Sequence, residues 1–139
     1  MNKDINQIMA LINSYKMDGL GNNFIILDRR ENDLELDKNK IISLASKKNI
    51  NFDQLIFLEK EENNIYPITI FNPDGIEVDA CGNGSRCVAY LISKEKKQST
   101  ISLRTNERIL YAEIVGEQNV KLNIGKPKFN WKEIKKIFK

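Results

Sequence analysis

The chain has 139 residues, with 22 Lys and Arg, 19 Asp and Glu and no His, so its formal net charge at pH 7 is +3. That length fits one domain. With 41% hydrophobic and 29% charged residues, the composition is ordinary for a globular fold in water. No apolar run approaches the roughly 18 residues of a membrane span, and the amino terminus lacks a secretory signal pattern. Lys alternates with Glu and apolar residues, which indicates a solvated surface rather than a nucleic-acid site.

The residue types exclude several kinds of chemistry. Without His, the usual base at neutral pH and the commonest metal ligand are both missing. The two cysteines, Cys81 and Cys87, are too few for a four-thiolate zinc site or a disulfide-dense secreted scaffold. We therefore predict no metal site, and any catalysis must use Cys, carboxylates, Lys or Tyr.

The first third of the chain predicts a hairpin followed by a helix. Helical spacing of apolar residues over residues 5–12 indicates a short helix or a loosely attached leader. Next, a strand, a glycine-containing turn and a second strand are predicted at Tyr15–Met17, Asp18–Asn23 and Phe24–Leu27. A polar loop over residues 29–36 precedes a predicted helix, Asp37–Lys47, capped by Asp37. The apolar stripe of this helix comprises Ile41, Ile42, Leu44 and Ala45.

The rest of the chain predicts strands around one longer helix. Two strands flank a hairpin-type loop and precede a Pro-Asp-Gly turn; they are Gln54–Leu58 and Ile65–Asn72. A helix from about Asn83 to Lys94 should bury Cys87, Val88, Leu91 and Ile92. Three final strands are predicted at Thr100–Arg104, Ile109–Val115 and Val120–Ile124. Many strands with two helices favour an α+β fold over an alternating parallel one.

The segment Cys81-Gly-Asn-Gly-Ser-Arg-Cys87 is the candidate for chemistry. A helix amino terminus presents unpaired N–H groups and a partial positive charge, which lower the pKa of a thiol placed there. The glycines let a ligand approach, so a carboxylate could bind the same N–H groups. Alternatively, Cys81 is a small buried residue in a tight turn, and the residues alone leave both interpretations open. Cys87 lies about 120° further around the helix, on the apolar stripe, and is interpreted as a core residue.

Four sequence blocks, in this order, resemble the amino-terminal half of the diaminopimelate epimerase family. They are Lys16-Met-Asp-Gly-Leu-Gly-Asn-Asn-Phe24, Phe52-Asp-Gln-Leu55, Phe71-Asn-Pro-Asp-Gly75 and the Cys81–Cys87 segment. The resemblance covers roughly residues 14–130, with residues 1–13 as an extension and 131–139 as a truncated crossing segment. It implies a curved antiparallel sheet, a half-barrel, wrapped around a central helix as one of two lobes.

The resemblance also implies an activity and its residues. The family interconverts LL- and meso-diaminopimelate without a cofactor, using one cysteine from each lobe. This reaction serves the cytoplasmic synthesis of lysine and peptidoglycan precursors. Cys81 matches one of these thiols, and Gly82 and Asn83 match backbone donors to the substrate carboxylate. Three amides match side chains that hold the substrate's polar groups: Asn22, Gln54 and Asn72.

The family pattern is incomplete in this chain, which leaves alternatives open. A family member is about twice as long and carries its second cysteine in the other half. We therefore expect an amino-acid substrate, a second-lobe chain or self-association, no nucleic-acid or membrane partner, and no useful activity from this chain alone. Asp18 and Asn23 stand where the family usually has His and Asp.

The sequence leaves two other functions open. The first is a related cofactor-independent racemase or isomerase. Asn83 argues against a proline racemase-type enzyme, which usually has His there, and Cys81 argues against a phenazine-type isomerase, which uses a carboxylate. The second is a non-catalytic remnant or a module that only binds a partner.

Overall fold

A computed structural model describes residues 12–19, 21–47, 50–79, 82–106, 108–117 and 119–123. The helix predicted over residues 5–12 lies almost wholly outside the described residues, and the proposed crossing segment, residues 131–139, lies entirely outside them. Cys81, the predicted catalytic thiol, is also outside them, whereas the residues that follow it, from Gly82 to Asn106, are described.

Every strand and helix that the sequence predicts between residues 13 and 123 has a counterpart in the structure. The described elements are β1 (Asn13–Gly19), β2 (Asn22–Asp28), α1 (Lys38–Ala45), β3 (Gln54–Leu58), β4 (Ile65–Phe71), β5 (Glu77–Val78), α2 (Gly82–Lys96), β6 (Thr100–Arg104), β7 (Ile109–Gly116) and β8 (Asn119–Asn123). The hairpin strands β1 and β2 extend into the predicted turn, and α2 begins at Gly82 rather than at Asn83.

The strands form a single mixed sheet in the order β1-β2-β3-β4-β6-β7-β8, with β5 paired to β4. The predicted α+β class is confirmed. The sheet is not antiparallel throughout, because β2–β3 and β4–β6 are parallel pairs. Parallel neighbours need a long crossover connection, and here α1 connects β2 to β3 while α2 lies between β4 and β6 in the chain. Because α2 contacts strands from both ends of the order, β1 to β3 and β6 to β8, the sheet curls around it.

The principal core fills the space between α2 and the concave face of the sheet. From α2 it receives Cys87, Val88, Ala89 and Ile92, all buried. Burial of Cys87, Val88 and Ile92 was predicted, whereas Leu91 is only partly buried. Strand side chains complete this core: Phe24, Ile26, Ile56, Leu58, Tyr66, Ile68, Ile70, Ile101, Leu103, Leu110 and Ala112. The central helix is therefore enclosed by the sheet, as the resemblance implied.

A second core lies on the opposite face of β2 and β3, beneath α1. Ile41 and Leu44 of α1 are buried there, together with Ile25 and Leu27 of β2. Since both faces of β2 are covered, its residues 24–27 form a continuous buried apolar run. Ile42 was assigned to the apolar stripe of α1, and this was wrong: it is 38% exposed.

The predicted cap of α1 is confirmed by its hydrogen bond. Asp37 precedes the helix in extended conformation, and its Oδ1 accepts a hydrogen bond from the Lys40 N–H at 2.8 Å. This satisfies one of the N–H groups that a helix start leaves without an intrahelical partner.

Gly84 sets how closely α2 approaches the sheet, and we predict that Gly84→Ala destabilises the fold. An ideal Cβ on Gly84 would lie 2.8 Å from Ile56 Cδ1 and 3.2 Å from Phe24 Cε1, and both of those side chains are fully buried. Overpacking costs about 1–3 kcal/mol, offset by about 1 kcal/mol of improved helix propensity. We expect urea denaturation to show a net loss of about 1 kcal/mol.

Gly116→Ala is the matched control for this substitution. A Cβ there would lie 3.8 Å from Asn119 Cβ, an ordinary contact, so the free energy of unfolding should change by no more than about 0.5 kcal/mol. If Gly84→Ala were as stable as the wild-type chain, close helix–sheet approach would not be what requires glycine at this position.

Candidate functional site

The three predicted substrate-binding amides lie at one end of the sheet. Asn22 begins β2, Gln54 begins β3, and Asn72 directly follows β4. The register explains this placement, because Phe24 of β2 pairs with Gln54 and Leu55 pairs with Phe71. Strand pairing thus gathers Asn22, Gln54 and Asn72, which come from three separate sequence blocks, at the same end of the sheet.

Gln54 and Asn72 contact each other directly. Gln54 Nε2 donates a hydrogen bond to Asn72 Oδ1 at 3.3 Å, and the Asn72 N–H donates to the Ile76 carbonyl within the Pro-Asp-Gly turn. The other amide atom, Gln54 Oε1, is buried and has no hydrogen-bond partner within the described residues. A buried acceptor without a partner is costly, which makes this atom a candidate acceptor for a hydrogen-bond donor on a ligand that reaches it.

The start of α2 lies against the same end of the sheet. An ideal Cβ on Gly19, the last residue of β1, would lie 3.2 Å from Cys87 Sγ and 3.7 Å from Asn83 Cβ. The tip of the β1–β2 hairpin therefore packs on the first turns of α2, where Gly82 and Asn83 present their backbone N–H groups. Such a helix start favours an anionic group through its unpaired N–H donors and its dipole.

The hairpin tip is held to β3 by a reciprocal pair of hydrogen bonds that the sequence analysis did not identify. The Asn23 N–H donates to Asp53 Oδ2 at 2.7 Å, and the Asp53 N–H donates to the Asn23 carbonyl at 2.8 Å. This contact lies between Asn22 and Gln54 and joins their strands. Asp18 and Asn23, the two departures from the family pattern, are themselves paired across the hairpin.

Arg86 is a second residue that sequence reasoning missed. Its guanidinium turns back toward the start of α2, with Nη1 3.4 Å from Asn83 Oδ1, and its Nε donates to the Val120 carbonyl of β8 at 3.3 Å. The spacing of three residues from Asn83 on a helix was the available signal, since residues at i and i+3 are neighbours. Arg86 thus adds a positive charge beside the helix start and connects it to β8.

The opposite end of the lobe carries an ion cluster rather than the predicted site. Arg30 pairs with Asp28 and with Glu95 near the end of α2, each at 2.7 Å, beside a cavity of about 460 Å³. Burial acts to raise the pKa of Asp28, but hydrogen bonds and charge attraction from Arg30 outweigh it and lower the pKa below its usual value. The cluster joins the end of β2 to the end of α2, a structural role.

Both described helices, of 8 and 15 residues, fall short of a membrane span, and no helix in the described part of the chain is long and apolar enough to cross a bilayer.

Solved structures with a related fold define the structural class. The chain aligns with a PhzF-family phenazine biosynthesis protein from Enterococcus faecalis with a TM-score of 0.56 at 18% identity, over 72% of this chain and 39% of that one. A PhzC/PhzF-type protein from Clostridium difficile aligns with a TM-score of 0.59 at 23% identity, over 76% of this chain and 41% of that one. The fold is therefore an α+β lobe of the PhzF type.

Sequence comparison then places the chain within this class. The family model for diaminopimelate epimerase matches residues 14–130, so the chain belongs to the diaminopimelate epimerase family. It is 46% identical over 123 residues to the diaminopimelate epimerase of Pelagibacter ubique, and 38% identical over 120 residues to that of Acidiphilium cryptum. These alignments cover 88% and 86% of this chain but only 45% and 43% of the relatives. The chain thus spans somewhat less than half the length of these isomerases.

Proposed function

We propose that the chain is one lobe of a cofactor-independent diaminopimelate epimerase, with Cys81 as one of two thiols that exchange the α-proton. The observation that carries this proposal is the convergence of Asn22, Gln54 and Asn72 with the start of α2 at one end of the sheet. Cys81 immediately precedes Gly82, the first residue of α2, in the sequence.

The reaction needs a base on one face of the α-carbon and an acid on the other. The Cys81 thiolate takes the α-proton to form S–H, and the electron pair left on the carbon delocalises into the substrate carboxylate. Backbone N–H groups of Gly82 and Asn83 stabilise that charge at the helix start. A thiol on the opposite face then donates a proton to the carbon, which inverts its configuration.

The polar groups of the substrate pair with the three amides at this end of the sheet. Gln54 Oε1 is the buried acceptor without a partner among the described residues, and it suits an ammonium group. Asn72 orients Gln54 through their hydrogen bond. Asn22, at the start of β2 next to Gln54 of β3, is the third amide of this group.

The second thiol comes from another lobe in this proposal. Cys87, the other cysteine of the sequence, is 7% exposed within the principal core, which makes it unsuitable as a proton donor to a ligand. Ile76, 53% exposed in the turn beside Asn72, offers apolar surface at the site's edge for that lobe. The partner is therefore a second-lobe chain or segment, and the enzyme acts in the cytoplasm in lysine and peptidoglycan precursor synthesis.

Reconstitution with a second lobe tests the proposal. We expect the purified chain alone to convert LL- to meso-diaminopimelate at no more than about 1% of the rate seen after adding a separately produced second lobe of the Pelagibacter ubique relative. The reason is that one acid–base group contributes about 10²–10⁴-fold to such a rate. Chiral chromatography follows conversion, and mass spectrometry in deuterated water follows α-proton exchange.

The two readouts separate the possible failures. Conversion by the isolated chain at the reconstituted rate would contradict the requirement for a second lobe. Absence of both exchange and conversion in the mixture, with the two lobes shown to associate by sedimentation, would contradict the epimerase assignment.

A further inference from the structure

The short segment before α2 is held by the β6–β7 loop through the carboxylate of Asp79. Thr105 Oγ1 donates a hydrogen bond to Asp79 Oδ1 at 2.6 Å, and Arg108 Nε donates to Asp79 Oδ2 at 2.9 Å. Both carboxylate oxygens are thus occupied by a loop that lies 26 to 29 residues further along the chain. The contact is long-range, and nothing in the local sequence pattern predicts it.

Thr105 and Arg108, which supply these donors, are also joined to each other. The Thr105 N–H donates to the Arg108 carbonyl at 2.9 Å, and Thr105 is only 5% exposed. Asn106 of the same loop also donates to the Glu77 carboxylate. The loop therefore contacts the segment at Glu77 and at Asp79.

This attachment matters because the strand in the described part of this segment is short. Its strand, β5, has only two residues, which pair with Ile70 and Phe71 of β4. The chain goes from Asp79 to Gly82, the first residue of α2, within three residues, and Cys81 lies between them in sequence. The carboxylate of Asp79 is thus the last described side-chain anchor before the proposed catalytic thiol.

The ion pair is also sheltered from water. The side chains of Arg108 and Asp79 are 20% and 22% exposed. Those of Arg104, the last residue of β6, and its ion-pair partner Glu62, at 2.8 Å, are 42% and 63% exposed. Sheltered, hydrogen-bonded pairs are screened less than exposed ones. The Asp79 contact is therefore the better suited of the two to hold a backbone in one position.

We propose that Asp79, through its hydrogen bonds with Thr105 and Arg108, is a positioning residue that holds the Cys81 segment at the start of α2. This inference rests on the proposed function of Cys81 as an acid–base thiol.

A positioning role for Asp79 differs from a direct effect of its charge on the thiol in a measurable way. If Asp79 and Arg108 acted on the thiol only through their charges, removing the anion would favour the thiolate and removing the cation would disfavour it. If they act through position, removing either one takes the thiol away from the helix N–H groups and disfavours the thiolate in both cases.

The test is the pH dependence of Cys81 alkylation by iodoacetamide in the full chain, read by peptide mass mapping. We expect Asp79→Ala and Arg108→Ala each to slow alkylation at pH 7 by about tenfold, equivalent to a rise of one unit in the pKa of the thiol. Asp79→Asn keeps an acceptor for Thr105 and should recover part of the rate. Glu62→Ala, which breaks the exposed pair, should leave the profile unchanged.

Cys87 reports within the same experiment whether each variant is folded. It is buried in the core, so it stays slow to react in a folded variant and reacts quickly in an unfolded one. Where an alanine variant unfolds, Thr105→Val replaces it as the deciding variant. It removes the hydroxyl's hydrogen bonds to Asp79, at 2.6 Å, and to the Arg108 carbonyl, at 3.4 Å, and leaves both charges of the ion pair in place. Slower alkylation of Cys81 is then expected.

The outcomes distinguish a failure of this positioning role from a failure of the proposed function on which it rests. Opposite shifts in Asp79→Ala and Arg108→Ala, or unchanged profiles in both, would overturn the positioning role while leaving Cys81 as the proposed thiol. A wild-type Cys81 that reacts no faster than Cys87 would instead overturn the proposed function itself.

Discussion

In the enzyme reconstituted from both lobes, we expect Cys81→Ala to reduce epimerisation by about 10²–10⁴-fold, the usual contribution of a positioned acid–base group. The sequence contains no His that could replace the thiol as a base, and the other cysteine is buried in the core. The rate of LL-to-meso conversion at saturating substrate is the measurement.

Substrate binding separates a catalytic loss from a folding defect. Because the amides and the helix start remain in Cys81→Ala, substrate affinity measured by calorimetry should stay within a few-fold of the wild-type value. Gln54→Ala is the converse variant, since it removes the buried acceptor and should mainly weaken binding. Retention of more than a tenth of the activity in Cys81→Ala would show that another group transfers the proton.

The two cysteines should also differ sharply in reactivity and in their contribution to stability. Near pH 7 we expect Cys81 to be alkylated at least about tenfold faster than Cys87. Cys81 directly precedes a helix start, whose N–H groups favour a thiolate, while Cys87 is 7% exposed among apolar side chains, where burial disfavours the thiolate and blocks the reagent. Mass mapping of peptides labelled under native conditions measures both rates.

Serine substitutions at the two cysteines should differ in which property they change, stability or thiol reactivity. Cys87→Ser places a hydroxyl in the apolar core and should cost about 1–3 kcal/mol of unfolding free energy, whereas Cys81→Ser should cost little and remove the fast-reacting thiol. Urea denaturation of both variants provides the comparison. Faster labelling of Cys87, or an equal slow rate for both, would contradict the assignment of Cys81.

The local elements were predictable because their signals come from neighbouring residues. Asp37 caps α1 as predicted, and the Pro-Asp-Gly turn forms with Gly75 at a φ of 80°, a conformation that glycine adopts readily. Strand β3 occupies the residues predicted for it. Each of these depends on conformational preferences and hydrogen bonds that span only a few residues.

The candidate site was partly predictable for a different reason. Asn22, Gln54 and Asn72 were singled out only through the family resemblance, because a lone amide in an Asn-rich chain carries little information. The sheet then placed them at one edge. Asp53 was missed because its partner, Asn23, is 30 residues away. The contact of Arg86 with Val120, 34 residues away, was likewise not predictable, although its spacing from Asn83 was visible in the sequence.

By itself, the sequence determined the order of the elements apart from the two-residue β5, the α+β class and the burial of Val88 and Ile92. Apolar spacing and turn residues act locally. Only the tertiary structure decided that β2–β3 and β4–β6 are parallel and that Ile42 faces solvent. Only the tertiary structure, too, showed that the carboxylate of Asp79 accepts hydrogen bonds from Thr105 and Arg108. The physical reason is that strand order and direction depend on which distant apolar faces are buried together, and polar side chains find their long-range partners only after that packing is set.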